Sequence, residues 1–287
     1  MPSLSMRKVR THGGNLLFML PAMLLFGFVV VIPFFQGIPY SFTNWKSIVS
    51  TEYEFVGLKN YITLLKNQYY RESFLHTFQF TIIYVIGANV LGFVLALLLN
   101  RSKWYTNIAR TIAFIPFTVA LTSGAIVWSY VYTDVVSPLF NIVSPLGVSS
   151  QVVPAMAIIA IWRDMGYCMM IYLAALQSIP DDYYDAAMVD GATSWQRLKM
   201  ITFPLMIPSI VSNVTLLIAW GLKCFDYPMS VARNMEAAQT ATMYVYNNIF
   251  GFNKAGLGQA AAILLTIVLI FITQGITALS RRMEVDE

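Results

Sequence analysis

Six long apolar stretches, each long enough to cross a lipid bilayer, leave this chain few folds to choose from. They run from about Leu16 to Phe35, His76 to Leu99, Ile108 to Tyr130, Val153 to Leu176, Phe203 to Phe225 and Gln259 to Leu279. A helix crossing the hydrocarbon core needs about 20 such residues. Lipid offers no partner to a backbone amide, so the spans must be helices or a closed barrel. The runs are too long, and too little alternated, for barrel strands. The predicted fold is therefore an all-α polytopic membrane protein with six transmembrane helices, and one membrane domain takes residues 1–287. Composition agrees: 57% of residues are hydrophobic and 11% charged, where a soluble domain carries about 25% charged residues.

The charges that remain sit at the ends of the runs. The N-terminus, the second-to-third and fourth-to-fifth connections and the C-terminus share ten basic residues: Arg7, Lys8, Arg10, Arg101, Lys103, Arg110, Arg197, Lys199, Arg281 and Arg282. The other three connections hold six: Lys46, Lys59, Lys66, Arg71, Arg233 and Lys254. The bias predicts both termini in the cytoplasm. A basic chain with no dense basic patch argues against nucleic acid. The basic N-terminus followed by a full-length apolar run reads as a first spanning helix and not as a cleaved signal.

Several chemistries find no support. Cys168 and Cys224 lie singly in apolar surroundings and form neither a disulfide framework nor a metal site. The histidines, His12 and His76, belong to no catalytic or metal-binding set. No phosphate-binding loop of the GxxxxGK[ST] type occurs, so this chain binds no nucleotide by that route. No resident cofactor is expected.

The most specified stretch is not a span. Residues 178–202, between the fourth and fifth runs, begin Ser178-Ile-Pro-Asp-Asp. Ser178 suits an N-cap and Pro180 the first turn. Asp181 and Asp182 suit the positive helix end. Ala186 and Ala187 offer a smooth patch for close approach. Gly191 suits a left-handed stop, and Thr193 or Ser194 a second cap. The first loop, from about Ser41 to Phe74, is expected to hold a short surface helix. The stretch from Pro138 to Pro154 reads as a loop with room for another. On these residues alone, the helix at 181–190 either packs on its own bundle or meets another protein.

Ionisable residues inside a spanning run are costly and mark functional positions. Arg163 and Asp164 interrupt the fourth run, and Tyr167 falls one turn beyond Arg163 on the same face. A bidentate donor, a carboxylate and an aromatic platform suit a sugar path. They equally suit an Arg–Asp arrangement tying helices together. On the fifth run Leu217, Trp220, Gly221 and Cys224 fall at i, i+3, i+4 and i+7, a stripe that serves packing or ligand contact. Lys223 and Asp226, three apart, are expected to pair with each other or to gate.

Asp185-Ala186-Ala187, then Asp190-Gly191-Ala192, then Ile201-Thr202-Phe203-Pro204 resembles the EAA motif of binding-protein-dependent ABC importer permeases. Asp185 stands where that motif has Glu, and Phe203 where it has Leu. Ile38-Pro39-Tyr40-Ser41-Phe42-Thr43-Asn44-Trp45, Phe55-Val56-Gly57-Leu58-Lys59-Asn60-Tyr61 and Lys223-Cys224-Phe225-Asp226 resemble the sugar branch, the MalF- and UgpA-like permeases. The chain departs from many members at Ser230–Gln239, where they carry Thr-Gly-Gly-Pro.

The resemblance implies a type I ABC importer permease fold in a bacterial or archaeal plasma membrane, with a carbohydrate as substrate. It implies that Asp185, Ala186, Ala187, Asp190 and Gly191 form a coupling helix for a separate ATPase. Aligned through the motif, the sugar contacts of the maltose permease fall on Arg163, Asp164 and Tyr167, and on Leu217, Trp220, Gly221 and Cys224. This chain lacks the Asn-rich polarity of that permease on the fifth helix, which argues against maltose in the same pose. The implied partners are a second, MalG-like permease, two cytoplasmic ATPase subunits that bind ATP and Mg, and an extracellular or periplasmic solute-binding protein. The rival readings are an ion-coupled secondary sugar carrier, a membrane enzyme and an exporter domain. The carrier would need more intramembrane acids than Asp164 and an internal repeat. The enzyme lacks a catalytic set, and an exporter commonly carries its ATPase fused.

Overall fold

The computed structural model describes residues 18–101 and 103–280. The expected basic residues Arg7, Lys8, Arg10, Arg281 and Arg282, His12 and the start of the first span at Leu16 lie outside them. The described chain is helical, with no β-strand; one isolated bridge pairs Thr43 with Phe55. Its principal helices, among the described residues, number eleven. They are α1 (Phe18–Tyr40), α2 (Lys59–Lys66), α3 (Gln68–Leu99), α4 (Trp104–Thr118), α5 (Leu121–Phe140) and α6 (Val152–Gln177). They continue as α7 (Asp181–Val189), α8 (Ser194–Leu222), α9 (Asp226–Val231), α10 (Ala241–Tyr246) and α11 (Ala255–Ser280). Five of them, α1, α3, α6, α8 and α11, are long and apolar enough to cross a membrane. The remaining expected span, the third, is not one rod. It is the pair α4 and α5, bent by 99°.

The helices fall on the expected runs, and some of them extend past or stop short of those runs for local reasons. Helix α3 starts at Gln68, eight residues before His76, because the Asn67 side chain caps it by accepting from the Tyr70 amide at 3.1 Å. Helix α8 starts at Ser194, where Thr193 and Gln196 form a capping box. It ends at Leu222, so Cys224 lies beyond the helix and not on its expected stripe. The third span breaks because Val119 and Ala120 both take extended backbone angles, just after Pro116. The short surface helix expected in the first loop is α2.

The chain divides into two compact units. One takes the residues up to Leu64 with Asn247–Ile263; the other takes Leu65–Tyr246 with the residues from Leu264. In the first unit, two sequence motifs form one knot. The Asn60 amide donates to the Ser41 and Thr43 carbonyls, both at 2.8 Å. The Tyr61 and Ser41 hydroxyls meet at 2.7 Å, and Tyr40 stacks on Trp45. The Gly256 amide, in the first turn of α11, donates to the Trp45 carbonyl at 2.8 Å.

The second unit holds the main core, where α3, α6 and α8 pack. Phe80, Tyr84, Met156, Ile159, Met169, Tyr172 and Leu217 are fully buried there. Helix α4 reaches α6 through Gly166, where an added Cβ would overlap the Ala113 carbonyl. Several buried polar groups in this core are paired, as an apolar surrounding favours. Tyr172 donates to Asn89, and Asn213 to the Cys168 carbonyl.

Candidate functional site

Two places carry the residues the sequence singles out, and both lie in the second unit. The first is a cavity of about 440 Å³. Of the nine residues expected on a substrate path, six line it: Arg163, Asp164, Trp220, Lys223, Cys224 and Asp226. Arg163 and Asp164 come from the middle of α6. Trp220 comes from the last turn of α8, Lys223 and Cys224 from the short connection that follows, and Asp226 from the first turn of α9.

Arg163 and Asp164 form an ion pair at 2.6 Å. The Tyr84 hydroxyl of α3 donates to the other carboxylate oxygen of Asp164 at 2.6 Å. Both lone-pair faces of a buried carboxylate are thereby engaged, which offsets the cost of removing it from water. The Arg163 guanidinium lies 5.0 Å from the centre of the Phe117 ring of α4, a cation–π distance. The pair therefore ties α3, α4 and α6 together and also faces the cavity, so both readings of Arg163 and Asp164 hold geometrically.

The other expected residues divide differently. Tyr167 does not line the cavity; it stacks on Phe117 at 4.9 Å and packs on Trp220 at 5.5 Å, backing the wall. Leu217 is fully buried core. Gly221 is buried where an added Cβ would lie 2.9 Å from the Thr81 side chain. These two pack helices and do not reach the cavity. Lys223 and Asp226 do not pair: the single ion pair among the described residues is Arg163–Asp164. The turn from Lys223 to Asp226 separates them, and both are exposed at the cavity rim.

Sequence reasoning missed Tyr84, Phe117, Phe80, Leu121, Phe225 and Tyr227, which complete the lining. Most are aromatic residues in apolar stretches, indistinguishable by type from core. Two polar atoms at the cavity residues are buried without a hydrogen-bond partner, the Arg163 Nε and the Tyr227 hydroxyl.

The second place is the loop between α6 and α8. Helix α7 spans Asp181–Val189 with Pro180 at the N-cap position, where no side chain caps it; Ser178 does not reach it. Ser178 ends α6 instead, its hydroxyl donating back to the Ala175 carbonyl at 2.8 Å. The stop is as expected. Gly191 has φ +78°, and the Ala192 and Gly191 amides donate to the Ala187 and Met188 carbonyls at 2.9 and 3.1 Å. That pair of bonds is a Schellman motif. The Tyr184 and Thr202 hydroxyls meet at 3.0 Å and hold the helix to the start of α8. Tyr183, Met188 and Val189 are left exposed.

Helices of bilayer length, a cavity that holds a charged pair and a surface helix presented by a fixed turn are features that suit a membrane transport subunit. The family described as the inner-membrane component of binding-protein-dependent transport systems matches residues 88–285, and the chain belongs to that family. It is 30% identical to the inner membrane ABC transporter permease YcjO of Escherichia coli K12, over 93% of this chain and 92% of that one. It is 29% identical to the probable starch degradation products permease AmyD of Thermoanaerobacterium thermosulfurigenes, over 94% of each chain. A crystal structure of a bacterial ABC transporter importing the acidic polysaccharide alginate has the same fold. Its TM-score is 0.84 at 22% identity, with 99% of this chain and 100% of that one covered.

Proposed function

We propose that this chain is one permease subunit of an ATP-driven importer for a carbohydrate. The observation that carries the reading is the cavity, where a paired Arg163–Asp164 and the aromatic rings of Phe117 and Trp220 face one space. Sugars present hydroxyls to such charges and C–H faces to such rings. The names of relatives support the substrate class: starch degradation products for AmyD, multiple sugars for MsmF of Streptococcus mutans.

In this reading α7 is the coupling helix. Asp185, Ala186, Ala187, Asp190 and Gly191 present a surface to a cytoplasmic ATPase subunit, which supplies ATP and Mg chemistry. A second, MalG-like permease completes the path, two ATPases sit below it, and both termini of this chain face the cytoplasm. A solute-binding protein delivers the sugar from outside. ATP closure pushes α7, the permease pair opens outward, and hydrolysis returns it. The alternative of an ion-coupled carrier is not favoured, because the family works with binding proteins.

The test is uptake of a panel of labelled neutral and acidic sugars by cells carrying the intact chain or Gly191→Pro. Proline cannot adopt the positive φ of Gly191. Loss of uptake of one sugar, together with loss of ATPase co-purification, is the expected result. Unchanged uptake with no ATPase ever co-purifying moves the carrier reading forward.

A further inference from the structure

The turn between α3 and α4 is rigidly built and charged outward. The Arg110 guanidinium donates twice to the Leu99 carbonyl, from Nε at 3.0 Å and from a terminal nitrogen at 2.6 Å. The buried Thr106 hydroxyl accepts from the Lys103 amide at 3.0 Å and lies 2.7 Å from the Lys103 carbonyl. These contacts occupy Arg110 and fix the backbone, but leave Arg101 and Lys103 exposed. The Lys103 Nζ sits 5.6 Å from the centre of the Tyr105 ring, a contact that positions the ammonium without neutralising it. Residues 73–133 contain no carboxylate. Neither cation is in an ion pair, since the single pair among the described residues is Arg163–Asp164.

Directly after this turn, one face of α4 is bare. Trp104, Ile108, Ile112 and Ile115 fall within about 80° of one another around the helix, and all four are at least half exposed. The opposite face is spent on packing, where the Ala113 carbonyl closes on Gly166 of α6. The stripe runs about 16 Å along the axis at 1.5 Å per residue, close to half of a hydrocarbon core about 30 Å thick. We infer that the turn and the stripe together bind one anionic phospholipid, its phosphate on Arg101 and Lys103 and an acyl chain along the isoleucines. A zwitterionic lipid would fill the stripe equally, but would bring its own cation to a place that already has two. Trp104 stands at the junction, where an indole with one apolar and one wet side belongs at headgroup level. Basic residues beside the end of a spanning helix attract anionic headgroups. A protein partner would have to supply carboxylates at the membrane surface as well as an apolar face; an anionic lipid presents both in one molecule. In the topology proposed above the site lies in the cytoplasmic leaflet, and that side is all the inference takes from the importer reading.

The experiment is fluorescence quenching of Trp104 by brominated lipid, in the transporter complex purified through this chain and held in nanodiscs. The probes are brominated phosphatidylglycerol and brominated phosphatidylcholine, each diluted into unbrominated phosphatidylcholine. The signal lost in Trp104→Phe isolates this indole from the other tryptophans. Brominated phosphatidylglycerol is expected to quench at a mole fraction at least about fivefold lower, the preference that one basic residue near the surface confers. Arg101→Gln with Lys103→Gln should abolish that preference while the complex still elutes intact on size exclusion. Raising the salt should weaken it in the unmodified complex, which tests the charges without a substitution. Equal quenching by the two lipids in the unmodified complex overturns the inference, and so does a preference that survives the double substitution. Quenching by neither lipid also overturns it and marks the stripe as a protein interface. Displacement of brominated phosphatidylglycerol by millimolar inorganic phosphate overturns it by revealing a free-anion site. Failure on any of these counts leaves the sugar reading as it was, because uptake enters none of them.

Discussion

The cavity and the α7 loop are built by opposite means. The loop is made of near neighbours: Gly191 bonds back to Met188, Ala192 to Ala187, and Thr193 forward to Gln196. The cavity is made of strangers, with Tyr84 reaching Asp164 across 80 residues and Phe117 lying under Arg163. A local structure can be damaged without disturbing the bundle. A structure assembled from distant helices cannot, because its polar contacts are also what hold those helices together.

Mutations can break or sharpen that contrast, and the largest effect is expected in the cavity. Asp164→Ala leaves Arg163 and the Tyr84 hydroxyl without their buried partner, which costs about 3–5 kcal/mol. Thermal unfolding of the detergent-purified complex should register it as a large loss of stability, well beyond any effect on transport alone. Gly166→Val comes next. Its side chain would meet the Ala113 carbonyl, forcing α4 from α6 at a cost of about 1–3 kcal/mol or more. Reduced yield of folded complex by fluorescence size-exclusion would check it.

The loop should behave differently. Gly191→Ala places a Cβ at φ +78°, a local strain of about 1–2 kcal/mol. Uptake should fall several-fold while the unfolding temperature stays near that of the parent. Thr193→Ala removes one cap, worth about 1 kcal/mol, and should give the smallest loss. A large stability loss from Gly191→Ala would erase the contrast, and so would full stability of Asp164→Ala.

The same contrast explains what could be read from the sequence. The spans were legible because about 20 apolar residues have one use in lipid. Gly191 and Thr193 were legible because left-handed turns and caps select residue types. Ser178 misled because serine caps either end of a helix, and here its hydroxyl closes α6. Arg163 and Asp164 stood out as charges in an apolar run. Tyr84, Phe117 and Tyr227 did not, because an aromatic residue is ordinary core until its neighbours are known. Leu217 and Gly221 shared a stripe with Trp220, but Trp220 is the one of the three that lies against open space.

The break at Val119 and Ala120 has a mechanical side. Bending an intact helix must stretch or rupture backbone hydrogen bonds, which makes it a stiff rod. Between Thr118 and Leu121 that ladder is already interrupted, so turning there needs only rotation about a few single bonds. The lining on α3 and α6 stands on unbroken helix. The side carried by Phe117 and Leu121 straddles a joint.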